Sequence, residues 1–272
     1  GVLATEPVRA RVTLDGEDRE WATNGSQVVA ESRGAVREVR VDHDEEYLYL
    51  RLRFDDAWSW RRNPVRIGFD VQPGGNRGLP GLPGVDRRAD VAVTVGPGDR
   101  AEIRQAAWLD PVALQYGVQR GFVDVDRSAL EPGSGVWVSP RLLLNRPYVV
   151  PVTGERRPVE VRSFAELPWG NGDPARPGFD QRHLVDGADH VVELRLPWAF
   201  LTFTDPSSHR VWALGADGVV RSRHAGRVGI TVATGGSTLV TSGYDWEGWN
   251  RVTWHERRKA GWQTLQAAFG GR

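Results

Sequence analysis

The run Val39-Arg40-Val41-Asp42-His43-Asp44-Glu45-Glu46-Tyr47-Leu48-Tyr49-Leu50-Arg51-Leu52-Arg53-Phe54 decides the fold class. Its apolar residues recur at every second position on either side of an acidic turn: Val39 and Val41 before it, then Leu48, Leu50, Leu52 and Phe54. A period of two places alternate side chains on opposite faces of an extended chain, so the run reads as two strands joined by a turn. The same period returns in Val65-Ile67-Phe69, Val91-Val93-Val95, Val192-Leu194-Leu196 and Val228-Ile230-Val232. Short alternating strands separated by Gly/Pro turns predict an all-β fold, an antiparallel β-sandwich of two sheets.

Three stretches depart from this period. Residues 72–88 hold Pro-Gly-Gly-Asn and Leu-Pro-Gly-Leu-Pro-Gly, turn sequences that work against regular structure. Residues 106–179 contain Trp108, Tyr116, Trp137, Tyr148, Phe164 and Trp169, too many aromatics for a disordered linker, so the insertion is expected to pack on the sandwich. The third is a C-terminal helix over 253–269. There Trp254, Trp262, Leu265 and Phe269 share one helical face, which is expected to dock on a sheet. The chain of 272 residues is thus read as one domain, 1–272.

Composition removes several classes of function. Thirty-five basic and 35 acidic residues leave a formal net charge of zero, without the basic stripe that nucleic acid selects. With no cysteine, thiolate metal sites, iron–sulfur clusters and a cysteine nucleophile are absent. With no methionine and a single lysine, Lys259, a haem held by Met with His or Lys cannot be built. No run is long and apolar enough to span a membrane as a helix, and the histidines form no His-Glu-x-x-His pair. Gly-x-Ser-x-Gly and phosphate-loop motifs are also missing. Asp245, Glu247 and Glu193 are the carboxylates that a glycosidase reading would need, but in a strand Glu193 is better explained by pairing with arginine.

The twelve tryptophans carry the functional question. Trp21, Trp198 and Trp212 sit beside apolar strand residues and read as core. Trp58 and Trp60 lie instead in the polar turn Asp55-Asp56-Ala57-Trp58-Ser59-Trp60-Arg61-Arg62-Asn63, and Trp246 and Trp249 in Tyr244-Asp245-Trp246-Glu247-Gly248-Trp249-Asn250. An exposed indole flanked by carboxylates, amides and arginines suits a sugar, whose C–H face stacks on the ring while polar neighbours bond its hydroxyls. The competing reading packs these four under the terminal helix or a neighbouring domain.

Four blocks together resemble family 9 carbohydrate-binding modules and their DOMON-like β-sandwich relatives. They are Leu14-Asp15-Gly16 with Trp21, the run Val39 to Leu50, Val65-Arg66-Ile67-Gly68-Phe69-Asp70, and Val192-Glu193-Leu194-Arg195-Leu196-Pro197-Trp198. The resemblance covers about half the chain and implies a non-catalytic glycan-binding sandwich, extracellular, cell-surface or periplasmic, attached to a larger carbohydrate-active or cell-envelope protein. It implies two tryptophans clasping a sugar, with Trp60 in the first position and Trp246, then Trp249, as candidates for the second. Trp58, Asn63, Arg66 and Asp245 would flank them. The chain departs from the pattern where Arg66 replaces a ligand-bonding acid and Thr94 an arginine. Structural calcium in such modules makes Asp42 and Asp44 the weak metal candidates, within an acidic turn shared with Glu45 and Glu46. The expected partners are an oligo- or polysaccharide and a neighbouring domain. The alternatives are an interaction domain that no longer binds sugar and a glycan-processing enzyme with a carboxylate pair.

Overall fold

A computed structural model describes residues 2–3, 12–23, 25–214, 219–249, 254–255 and 261–270. Two antiparallel sheets face each other. The first has five strands in the spatial order Val185–Asp186, Val191–Pro197, Tyr47–Phe54, Val36–His43 and Gln27–Glu31. The second runs Trp137–Val138, Arg100–Ala106, Val91–Gly96, Val65–Asp70, Gly229–Thr234 and Ser237–Val240, with Glu166–Leu167 also paired to Arg100–Ala106.

The period of two is what joins them. Val39, Val41, Leu48, Leu50, Leu52, Phe54, Val192, Leu194 and Leu196 point inward from the first sheet. They meet Val65, Ile67, Phe69, Val91, Val93, Val95, Ile103, Ile230 and Val232 of the second in one core. Register keeps like with like, since Leu50 lies between Val41 and Leu194, and Leu52 between Val39 and Val192. An apolar face of this size must be buried, and packing two such sheets is the economical solution.

Both outer faces are covered by the chain's own segments. On the first sheet, residues 12–23 lie over Tyr49, with Leu14 and Trp21 completing a small second core. Glu193, fully buried on that face, accepts the backbone N–H groups of Asp15 at 2.9 Å and Gly16 at 2.8 Å and the Trp21 indole N–H at 2.7 Å. Gly16 holds φ +77° there, with the Ala188 methyl against the space a side chain would take. The Leu14-Asp15-Gly16 turn, Trp21 and Glu193 are therefore one device; burial raises the Glu193 carboxyl to about 8, and Arg51, 3.6 Å from it, lies closer to Asp18 at 3.2 Å. On the second sheet, the Pro/Gly segment folds back so that Leu79 fills the space over Gly68 and packs with Ala89, Ala92 and Ala233.

Coverage of both faces explains one departure from expectation. The terminal helix is shorter than 253–269, spanning Trp262–Phe269, while Trp254–His255 pairs as a strand with Val2–Leu3. Trp262, Leu265 and Phe269 are exposed rather than docked, because residues 12–23 and 78–85 already occupy the sheet faces. The insertion behaves in two ways. Trp108 and Leu109 pack beside Trp212, and Leu167 joins the main core, whereas residues 141–163 form a two-stranded ribbon that pairs with no other strand among the described residues.

A smaller sheet, Phe203–Asp205, Arg210–Leu214 and Val220–His224, stands at the end of the sandwich where Val191–Pro197 finishes. That end carries the candidate site.

Candidate functional site

The two tryptophan turns lie at opposite ends of the molecule. Trp60 follows the Phe54 end of Tyr47–Phe54, whereas Trp246 packs on Trp198, which follows Pro197, the residue opposite Tyr47. Eight residues of strand separate the ends, roughly 23 Å at about 3.3 Å per residue, so the two indoles cannot clasp one sugar ring.

Trp60 is a core residue, correcting its expected role as an open stacking face. It is 0% exposed, donates its indole N–H to the Ala188 carbonyl at 3.0 Å, and lies with its ring centre 4.9 Å from Trp169. The Arg61 guanidinium sits 4.5 Å from the ring, and Gly187 is packed against it so closely that a Cβ there would lie 2.5 Å away. Trp58 is half-buried against Gly235. Asn63 donates to the Ser59 carbonyl at 3.4 Å, closing its own turn. Arg66 lies directly across from Thr94 and donates to the Pro80 carbonyl at 2.8 Å. Arg66 thus pins the Pro/Gly segment to the sheet.

Asp42 and Asp44 serve the turn. Asp44 accepts the backbone N–H of Glu46 and of Tyr47, each at 2.8 Å, on one oxygen and the Tyr49 hydroxyl at 2.8 Å on the other. Asp42 accepts the His43 backbone N–H at 2.8 Å, and burial raises its carboxyl above the usual range. Among the described residues no three His, Asp or Glu side chains converge as a metal site.

At the other end, His43, Trp198, Phe203, Tyr244 and Trp246 form a closed aromatic cluster. The Trp198 indole donates to the Asp44 carbonyl at 2.9 Å and that of Trp246 to the Pro206 carbonyl at 3.0 Å. His43 Nδ1 meets the Tyr244 hydroxyl at 2.6 Å, and burial pushes the imidazole down to about 4, so it is neutral at ordinary pH. Trp249 stacks on the His43 ring at 5.2 Å.

From this cluster a ladder of rings climbs to the surface. Trp246, only 7% exposed, is covered by His209 at 4.2 Å, and His209 is covered in turn by exposed His224 at 5.5 Å with 14° between the planes. Pairing of Arg210 with His224 in the small sheet brings the second imidazole onto the first. His209 is placed by a left-handed backbone, φ +56°, at the end of the short helical turn Pro206–Ser208, which Asp205 caps by accepting the Ser207 N–H at 3.1 Å. Burial lowers the His209 value, Asp245 opposes the shift and His224 adds to it.

The ladder forms one wall of an open cleft of about 510 Å³, whose other lining includes Ser207, Ser208, Arg210, Glu247 and Gly248. Asp245 is exposed beside it and caps the Trp246 backbone N–H at 3.0 Å. The cleft therefore combines flat rings with a guanidinium donor, a carboxylate acceptor and the Ser207 and Ser208 hydroxyls, which are held by Asp205. Of the expected residues, Trp246 lines it, Asp245 and Trp249 flank it, and the other four stand at the far end. His209, Arg210 and His224 were not legible as site residues, because only the pairing of Arg210–Leu214 with Val220–His224 unites them. Glu193, the third carboxylate of a glycosidase reading, lies under residues 12–23, remote from the cleft.

Neither a protein-family model, nor a curated protein, nor a solved structure matches this chain.

Proposed function

We propose that this chain is a non-catalytic glycan-binding module whose ligand occupies the cleft beside Trp246, His209 and His224. The observation that carries the reading is the ring ladder opening onto a cleft with polar groups of both kinds. A pyranose presents an apolar C–H face and a rim of hydroxyls, and His224 with Arg210 and Glu247 offers the matching surfaces. The cleft's volume falls within the usual range for small-ligand sites. Placement in a larger carbohydrate-active or cell-envelope protein outside the cytoplasm belongs to the same proposal and rests on the resemblance of the four sequence blocks.

A panel of soluble oligosaccharides and insoluble polysaccharides, titrated against the wild type and against His224→Ala and Glu247→Ala, tests it. Saturable binding weakened at least about tenfold by each substitution is expected, equivalent to about 1.4 kcal/mol. Binding untouched by both substitutions would move the site elsewhere. No binding to any glycan would favour the second reading, an interaction domain, for which the exposed ribbon at 141–163 is the supporting observation.

A further inference from the structure

The ribbon pairs Arg141–Asn145 with Glu160–Ser163 and continues as Tyr148–Val149 with Arg156–Arg157. Its base is fixed to the body by the Arg141–Asp110 ion pair and by Arg146, whose guanidinium lies 5.7 Å from the Tyr116 ring. The tip closes through the Val150 N–H to the Glu155 carbonyl and the Gly154 N–H to the Val150 carbonyl, both at 2.8 Å. Beyond Arg146, residues 147–149 and 151–158 are exposed among the described residues. Tyr148 and Val149 are half exposed and Val152 is 94% exposed. A two-stranded ribbon bearing apolar side chains to water is marginal by itself, so this surface calls for a partner.

Sequence indicates which partner. Residues 147–154, Pro-Tyr-Val-Val-Pro-Val-Thr-Gly, carry no charge; arginines 146, 156 and 157 flank them, Arg157 beside Glu155 at 3.0 Å, and Arg162 stands opposite Leu142 nearer the base. Over 141–163 five arginines face two glutamates, a net +3 in a chain whose formal net charge is zero. Pro147, Pro151 and Pro158 remove backbone donors from the free edges, which works against addition of a partner strand. An uncharged apolar tip, a tyrosine at its shoulder and a ring of arginines behind it match the layering of an anionic lipid surface.

We propose that the 141–163 ribbon docks the protein peripherally on an anionic membrane surface, with residues 147–154 entering the headgroup region and the arginines meeting lipid phosphates. The proposal is independent of the glycan reading. Because the chain has no cysteine, Val152→Cys gives a unique attachment point for an environment-sensitive fluorophore. Titration with phosphatidylglycerol/phosphatidylcholine vesicles should shift its emission to the blue and titration with phosphatidylcholine alone should not, the shift reversing with salt. Co-sedimentation of unlabelled protein should weaken at least about tenfold in Arg156→Glu/Arg157→Glu and disappear in Val149→Asp/Val152→Asp, with circular dichroism unchanged. An unmoved emission on anionic vesicles overturns the proposal. So does sedimentation indifferent to the arginine reversals, or a blue shift that grows with protein concentration without lipid, which would make the ribbon an interface between copies.

Discussion

At Glu193 one buried carboxyl group ties residues 15–21 to the outer face of the first sheet, accepting two backbone N–H groups and an indole N–H. Burial raises the Glu193 carboxyl to about 8, and Arg51 keeps Asp18 at 3.2 Å. Replacement with alanine therefore acts mainly by leaving two backbone N–H groups and the Trp21 indole N–H buried without their acceptor, at about 1–3 kcal/mol for each unsatisfied group. The Glu193→Ala variant should show a lower urea midpoint and faster cleavage within residues 12–23; an unchanged midpoint would sever the link between the Asp15-Gly16 turn and this strand. His43 gives a pH prediction. Its folded value near 4 lies below the ordinary 6.5, so between those values the unfolded chain binds more protons than the folded one. Stability held above about pH 6.5 should fall as the pH drops toward 4, and His43→Gln should flatten that slope in melting curves recorded from pH 4.5 to 7.5.

Among elements, the strands were readable and their ends were not. Period two identified Val36–His43, Tyr47–Phe54, Val65–Asp70, Val91–Gly96 and Val191–Pro197 because each buries one face against a common core. The Trp60 turn has the polar composition of an exposed loop, yet Ala188 and Gly187, over a hundred residues later, roof it. Polarity of neighbours in sequence says little about which neighbours arrive in space. The terminal helix shows the converse, since its apolar face was legible, whereas prior occupation of both sheets by residues 12–23 and 78–85 was not. For the Trp60 turn, truncation to alanine should cost about 3–5 kcal/mol in chemical denaturation, as for other buried aromatics, while leaving ligand affinity unchanged. A fully stable Trp60→Ala protein that loses ligand would restore the tryptophan to the site.

On the scale of the whole molecule, strand direction decides what can cooperate. The antiparallel run of Tyr47–Phe54 sends its two flanking turns to opposite poles, which separates Trp60 from Trp246 whatever their chemistry. One pole is closed by packing. The other gathers a small sheet, three histidines and the open cleft. The sandwich itself was legible because burial is a property of every strand. The site was only half legible, since Trp246 and Asp245 announce themselves by sequence, whereas His209, Arg210 and His224 meet only through pairing in the small sheet.

The histidines provide the most direct test of which pole binds. His43, His209 and His224 mark the cleft end, while His190 bonds the Trp58 carbonyl at the other and His183 lies beside Gly170 and Gly172. Imidazole resonances recorded by nuclear magnetic resonance during titration with the best-binding oligosaccharide should therefore divide. Saturable shifts are expected at His209 and His224 with His183 and His190 unmoved; shifts confined to His190, with the cleft histidines silent, would place the ligand at the opposite pole and overturn the cleft as its site.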